Sequence, residues 1–167
     1  GILADDMGLG KTLQVIAFLL SEYQDQEADL SRTLIICPAS LVFNWKSECT
    51  QFAPELPVTM VVGNAEERKS LIESAGKRDI LITSYDLLKR DMESYRKILF
   101  SNEIIDEAQY IKNHATQASR AVKKINAGFR IALTGTPVEN RLSELWSIFD
   151  YLMPGYLYSY QRFRREI

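Results

Sequence analysis

The sequence predicts a doubly wound α/β domain, a parallel sheet with helices on both faces. Three observations predict it. Six short apolar runs alternate with segments of helical period, a glycine-containing turn ending in Lys11-Thr12 joins the first run to the first helix, and two adjacent carboxylates, Asp106-Glu107, end the fifth run. Strand and helix in strict alternation lead to parallel pairing with right-handed crossovers. A chain of 167 residues suits one such domain and can bury about two thirds of its unfolded surface.

In chain order, Gly1-Ile2-Leu3-Ala4 reads as the tail of a strand with nothing before it, which points to a piece of a longer chain. Residues 13–20 are apolar nearly all round, as in a helix buried against a sheet, and the polar residues 21–31 read as a solvated loop. Residues 33–37 form a continuous apolar run stopped by Pro38, the pattern of a central strand covered on both faces. Leu41, Trp45, Cys49 and Phe52 follow at helical spacing, with Ser40 placed to cap the start. Core packing is the reading for Trp45, as for Trp146.

Residues 58–62 give a third strand, and Gly63-Asn64 turns the chain into a polar helix, 65–74, closed by Gly76. Residues 79–83 repeat the strand pattern, and 85–97 read as a helix broken near Asp91. Ile104-Ile105 leads into Asp106-Glu107, and a helix over 116–125 ends at Asn126-Ala127-Gly128. Residues 129–134 form the sixth strand, and an amphipathic helix follows from Leu142 to a stop at Pro154-Gly155. The last segment, 156–167, interleaves aromatic residues with arginines, a pattern that fits either nucleic acid or a helix whose packing partner lies elsewhere.

Composition narrows the function. Lys and Arg number 20 against 22 Asp and Glu, so with a net charge of −2 any contact with nucleic acid must be a local patch. Cys37 and Cys49 lie in apolar surroundings and read as buried free thiols of a reducing compartment, not as a disulfide or metal site. His114 lacks a nearby Cys or His and reads as a surface residue. No apolar run reaches membrane-spanning length, and no signal peptide is visible.

The chemistry gathers at two places. Gly8 and Gly10 let the backbone turn tightly and aim bare N–H groups at an anion, and the helix that follows adds its dipole. Lys11 is placed to reach the β- and γ-phosphates of a nucleotide and the Thr12 hydroxyl to ligate Mg²⁺. The strict P-loop pattern fails at its first position, where Asp5 replaces glycine. Asp106 suits a hold on Mg²⁺ and Glu107 the orientation or deprotonation of water, while an acidic helix cap is the plain alternative. Thr134 and Thr136 around Gly135 could sense phosphate geometry, or simply make a turn.

The stretches Asp5-Asp6-Met7-Gly8-Leu9-Gly10-Lys11-Thr12, Asp106-Glu107-Ala108-Gln109, Ile111-Lys112-Asn113 and Leu133-Thr134-Gly135-Thr136-Pro137-Val138-Glu139-Asn140 together resemble the Snf2 family of superfamily 2 helicase-like ATPases. The resemblance covers nearly the whole chain, and it makes Asp5 an ordinary family feature and Gln109 a family variant of the more frequent His. It implies a RecA-like P-loop lobe over 1–155, lacking its extreme N-terminal segment, with 156–167 starting the connection toward a second lobe. It implies an ATP hydrolase dependent on double-stranded DNA, using ATP and Mg²⁺, that moves on DNA and remodels bound proteins.

Carried over residue by residue, Met7, Gly8, Leu9, Gly10, Lys11 and Thr12 hold the nucleotide, Thr12 and Asp106 hold Mg²⁺, and Lys11, Asp106, Glu107 and Gln109 are catalytic. Thr134, Gly135 and Thr136 couple nucleotide state to DNA grip, and the loops with Ser40 and with Thr83-Ser84-Tyr85 touch the DNA backbone, helix capping being the equal alternative for both loops. The resemblance also implies an intracellular protein, in cytoplasm, nucleoid or nucleus, and a lobe nearly inactive without its second half, whose arginines would complete the site. The rival readings are an RNA helicase or restriction-type translocase, and a nucleotide-gated interaction module without movement.

Overall fold

Apolar runs with no polar face must be covered on both sides. The computed structural model describes residues 2–4, 8–27, 29, 31–134, 147–148 and 150–152, with backbone alone for 2–4, 8 and 9. The expectations placed on Met7, Gly135, Thr136, Trp146 and residues 153–167 lie outside them.

Among the described residues, six parallel strands form one sheet: β1 Ile2–Ala4, β2 Arg32–Cys37, β3 Val58–Met60, β4 Ile80–Ser84, β5 Leu99–Ile105 and β6 Asn126–Thr134, in the order β1-β6-β5-β2-β4-β3. The helices are α1 Gly8–Gln24, α2 Val42–Phe52, α3 Ala65–Glu73, α4 Tyr85–Arg90, α5 Met92–Tyr95 and α6 Gln117–Lys124, with short 3-10 turns at Ala39–Leu41 and Ala108–Ile111. Residues 147–148 and 150–152 are also helical.

The period of two along β2 sorts the layers. Ile35 and Cys37 pack with Val15, Ile16 and Leu19 of α1 and with Trp45 and Cys49 of α2. Leu34 and Ile36 face the other way, toward Ile72 of α3, Tyr85 and Leu88 of α4, Val122 of α6, and Ile148 and Tyr151. Two apolar layers against one sheet is the doubly wound arrangement, in which ligands gather outside the carboxyl ends of the strands.

Several local expectations are corrected. α1 does not give way to a loop at 21 but continues to Gln24, because Glu22 accepts from Asn102 Nδ2 at 2.6 Å and the Arg78 guanidinium lies 4.7 Å over the Tyr23 ring. Polar residues there face a partner that only the fold supplies. β6 begins at Asn126, not 129, since Asn126 and Ala127 pair in register with Leu99 and Phe100 of an equally extended β5. Ser40 caps nothing: it lies inside the 3-10 turn, and neither that turn nor α2 has a side-chain cap.

α3 ends at Glu73 with Ser74 as its C-cap, so Gly76 does not close it; Gly63, at φ 105, is the described glycine whose backbone needs the missing Cβ. The break at Asp91 is real and has a cause. The Asp91 carboxylate takes two hydrogen bonds from buried Arg68 of α3, at 2.8 and 3.0 Å, which seats the chain between α4 and α5. His114 is half-buried, not on the surface.

Candidate functional site

The site forms where α1 starts and β5 ends. Gly8, Leu9 and Gly10 make up the opening turn of α1, with Lys11 buried and Thr12 half-buried directly after. A 17-residue helix that starts at this point turns its first N–H groups and positive dipole end toward the carboxyl ends of the strands. β5 supplies the facing wall. Asp106 N donates to Ile36 O at 2.7 Å, extending the ladder with β2 one residue past the strand.

Asp106 is held from several directions. Its Oδ1 accepts from the Glu107 backbone N–H at 2.8 Å, its Oδ2 from the Trp45 indole N–H at 2.9 Å, and its carbonyl oxygen from the Tyr85 hydroxyl at 2.6 Å. Burial pushes its carboxyl upward, opposed by the Trp45 and Glu107 donors and by the Lys11 charge. Glu107 follows in a left-handed conformation, φ 54 and ψ 56, the single non-glycine positive φ among the described residues. Such a conformation costs about 1–2 kcal/mol and persists where the surroundings enforce it. Here it turns the Glu107 side chain off the strand line, where its Oε2 accepts from Gln109 Nε2. Gln109 Oε1 in turn accepts from Thr134 Oγ1 at 3.3 Å, so the ends of β5 and β6 are tied through one side chain.

Lys11, Thr12, Asp106 and Glu107 line one cavity of about 220 Å³, with Leu41, Asn44, Trp45 and Glu48 as its other wall. The fold thus brings together the two places that the sequence singles out, residues 11–12 and 106–107. Burial, and then the charge of Asp106, raise the Glu48 carboxyl. A larger groove of about 690 Å³ runs between α4, α5 and α6, but none of the predicted site residues lines it. Convergent chemistry, not volume, marks the smaller cavity as the site. Its donor set suits a phosphate-bound divalent cation. No cluster of three or more His, Cys, Asp or Glu able to cage a metal occurs among the described residues, and a Mg²⁺ carried by a nucleotide needs just one or two protein oxygens.

The predicted nucleic-acid loop fares differently. Thr83 and Ser84 are buried, the Ser84 hydroxyl caps α4 by accepting from Leu87 N at 3.2 Å, and Tyr85 is 3% exposed with its hydroxyl on Asp106. All three side chains are buried within the lobe. Ser40 is exposed.

Sequence reasoning missed the α2 wall. Leu41, Asn44, Trp45 and Glu48 share one helical face, at spacings of three and four, but a tryptophan in an apolar stripe looks the same whether its N–H has a use or not.

The SNF2-related domain, as a family model, matches residues 1–167. An uncharacterized ATP-dependent helicase of Mycoplasma genitalium is 47% identical over 163 residues, covering 98% of this chain and 16% of the relative. The TATA-binding protein-associated factor MOT1 of Saccharomyces cerevisiae is 41% identical over 176 residues, covering 99% of this chain and 9% of the relative. The chain therefore spans a small part of the length of these relatives. Among solved structures, the Sulfolobus solfataricus SWI2/SNF2 ATPase core in complex with dsDNA superposes with a TM-score of 0.85 at 40% identity, covering 99% of this chain and 34% of that one. The same core domain without DNA gives 0.81 at 41% identity, covering 99% and 33%.

Proposed function

Since the chain belongs to the SNF2-related domain family and carries its helicase-like, RecA-like ATPase lobe, we propose that it binds Mg²⁺–ATP and drives movement along double-stranded DNA, remodelling proteins bound there. The observation that carries this reading is the cavity in which Lys11, Thr12, Asp106 and Glu107 converge. The Lys11 ammonium neutralises the terminal phosphates, and the first N–H groups of α1 hold their oxygens. Thr12 and Asp106 would hold Mg²⁺, which when bound would supply positive charge against the phosphate oxygens. Glu107 orients a water and takes its proton, with Gln109 fixing the carboxylate.

The Gln109–Thr134 link supports a path by which the nucleotide reaches Gly135 and Thr136, which follow β6 in the sequence. Duplex DNA as the track is supported by the Sulfolobus relative, whose core was solved in complex with dsDNA, and a protein target by the relative named a TATA-binding protein-associated factor. Coverage of about a third of the solved core supports a second lobe elsewhere in the full protein, with 1–155 as the first lobe and 156–167 as the start of the connection. Ser40 remains the candidate backbone-phosphate contact. An intracellular location follows from the ATP and DNA that the reaction requires.

The test is ATP hydrolysis by the full-length protein with and without duplex DNA across salt. Turnover stimulated by duplex DNA and falling as salt rises is expected, because neutralised phosphates release counterions. Glu107→Gln should keep ATP binding and lower turnover by roughly 10²- to 10⁴-fold. Stimulation by single-stranded RNA in place of duplex DNA would point to an RNA helicase, and a Glu107→Gln protein unchanged in every respect to a nucleotide-gated module.

A further inference from the structure

Trp45 sits on α2, 2% exposed, with its ring in the apolar layer against Ile35 and Cys49 and its indole N–H on Asp106 Oδ2 at 2.9 Å. A buried indole needs one acceptor, and a backbone carbonyl would satisfy it as well. Here the acceptor is a carboxylate oxygen that lines the candidate nucleotide cavity, 61 residues away in the chain. We propose that Trp45 is a positioning residue, whose N–H locks the Asp106 carboxylate in the orientation that receives Mg²⁺. The proposal rests on the assignment of Asp106 as a Mg²⁺ holder.

The geometry explains why a second donor is needed. The terminal torsion of an aspartate is broad and roughly two-fold, so one donor leaves the carboxylate free to rock about it. The Glu107 backbone N–H at 2.8 Å holds Oδ1, and the Trp45 indole N–H holds Oδ2. With both oxygens tied to different elements the plane of the group is set. Each oxygen still keeps a lone pair for a cation or a water. Charge-assisted hydrogen bonds of this kind are short and strong, and neither donor can follow a wandering carboxylate, since one is backbone and the other a rigid, buried ring. The arrangement also places Glu48, one turn further along α2, on the wall of the same cavity. α2 therefore serves the site directly as well as the core.

Ring packing and the N–H can be separated. In the full-length protein, Trp45→Phe deletes the donor together with part of the ring, and replacement of Trp45 by 3-benzothienylalanine keeps the bicyclic shape with sulfur in place of N–H. The readout is equilibrium binding of a fluorescent ATP analogue titrated with Mg²⁺, with thermal melting alongside. Binding of the analogue in EDTA, measured for the parent and both variants, is the metal-free reference for each. Both should need about 10- to 100-fold more Mg²⁺ for half-maximal tight binding, the usual cost of losing a group that orients a metal ligand. The sulfur isostere should melt close to the parent.

An unchanged Mg²⁺ requirement for the isostere overturns the proposal, and so does a Trp45→Phe protein that loses stability alone. Asp106→Asn is the separate control. If it leaves the Mg²⁺ response intact, the assignment of Asp106 fails; if it removes the response while the isostere behaves as the parent, the role of Trp45 alone fails.

Discussion

Tyr85→Phe distinguishes a buried clamp from a surface contact. The Tyr85 hydroxyl donates to the Asp106 carbonyl oxygen at 2.6 Å, and burial raises its pKa well above the ordinary tyrosine value, so it stays protonated and donating. Removing it leaves a carbonyl without that partner inside the protein, at a cost of about 1–2 kcal/mol. For a domain of this size each kcal/mol shifts the melting temperature by about 2–4 °C, so a drop of roughly 2–8 °C is expected. The phenylalanine ring keeps the stack on Tyr110, whose centroid lies 5.0 Å away and nearly parallel, so the loss reports the hydroxyl.

Loosening the main chain at Asp106 should also lower DNA-independent ATP hydrolysis of the full-length protein by about tenfold, since misplacement by 1 Å costs up to about a hundredfold. Differential scanning fluorimetry and a coupled ATPase assay read the two effects. A variant that melts with the parent and hydrolyses ATP normally, but needs more DNA for half-maximal stimulation, would refute the clamp and restore a polymer contact.

Two further predictions concern the frame around the site. Asp91→Ala should cost about 3–5 kcal/mol in denaturant unfolding, because it strands a buried guanidinium that now makes bonds of 2.8 and 3.0 Å to the carboxylate; the pair Arg68→Met with Asp91→Leu should cost clearly less, and equal costs would mean that the ion pair is effectively solvated. Burial pushes the Cys37 thiol from 9.0 up to about 12 and the Cys49 thiol up to about 11, so both favour the neutral form in the fold. The unfolded chain releases these protons first as pH rises. Their contribution is therefore whole below pH 9 and is lost through pH 11 to 12, about 2 kcal/mol for each by pH 10.5. Urea unfolding at pH 8 and 10.5 should show this loss, Cys→Ala at both positions should flatten it, and rapid labelling of native protein by a thiol reagent at pH 8 would contradict the burial.

Much of the chemistry was legible because it is local. Gly8-Leu9-Gly10-Lys11-Thr12 at a strand-to-helix turn has few other uses, and Asp106-Glu107 at a strand end faces the edge where α/β sheets collect ligands. The central strands were legible for the same reason: Leu34, Ile35, Ile36 and Cys37, each 0% exposed, need cover on two faces wherever they sit. Errors came where a residue answers to something distant. Glu22 looks solvated until Asn102 meets it, and Asn126 looks like a helix stop until Leu99 pairs with it.

The sequence by itself determined the class of the domain and singled out four groups that line one cavity, since strand period, glycine turn and carboxylate pair are properties of adjacent residues. Only the tertiary structure decided how those groups are held. The Trp45 indole and the Glu107 backbone N–H hold the Asp106 carboxylate, and the Tyr85 hydroxyl holds the carbonyl oxygen of the same residue. The reason is physical: a hydrogen bond between residues far apart in the chain depends on strand register and helix packing, and neither is written in the spacing of the residues that share it.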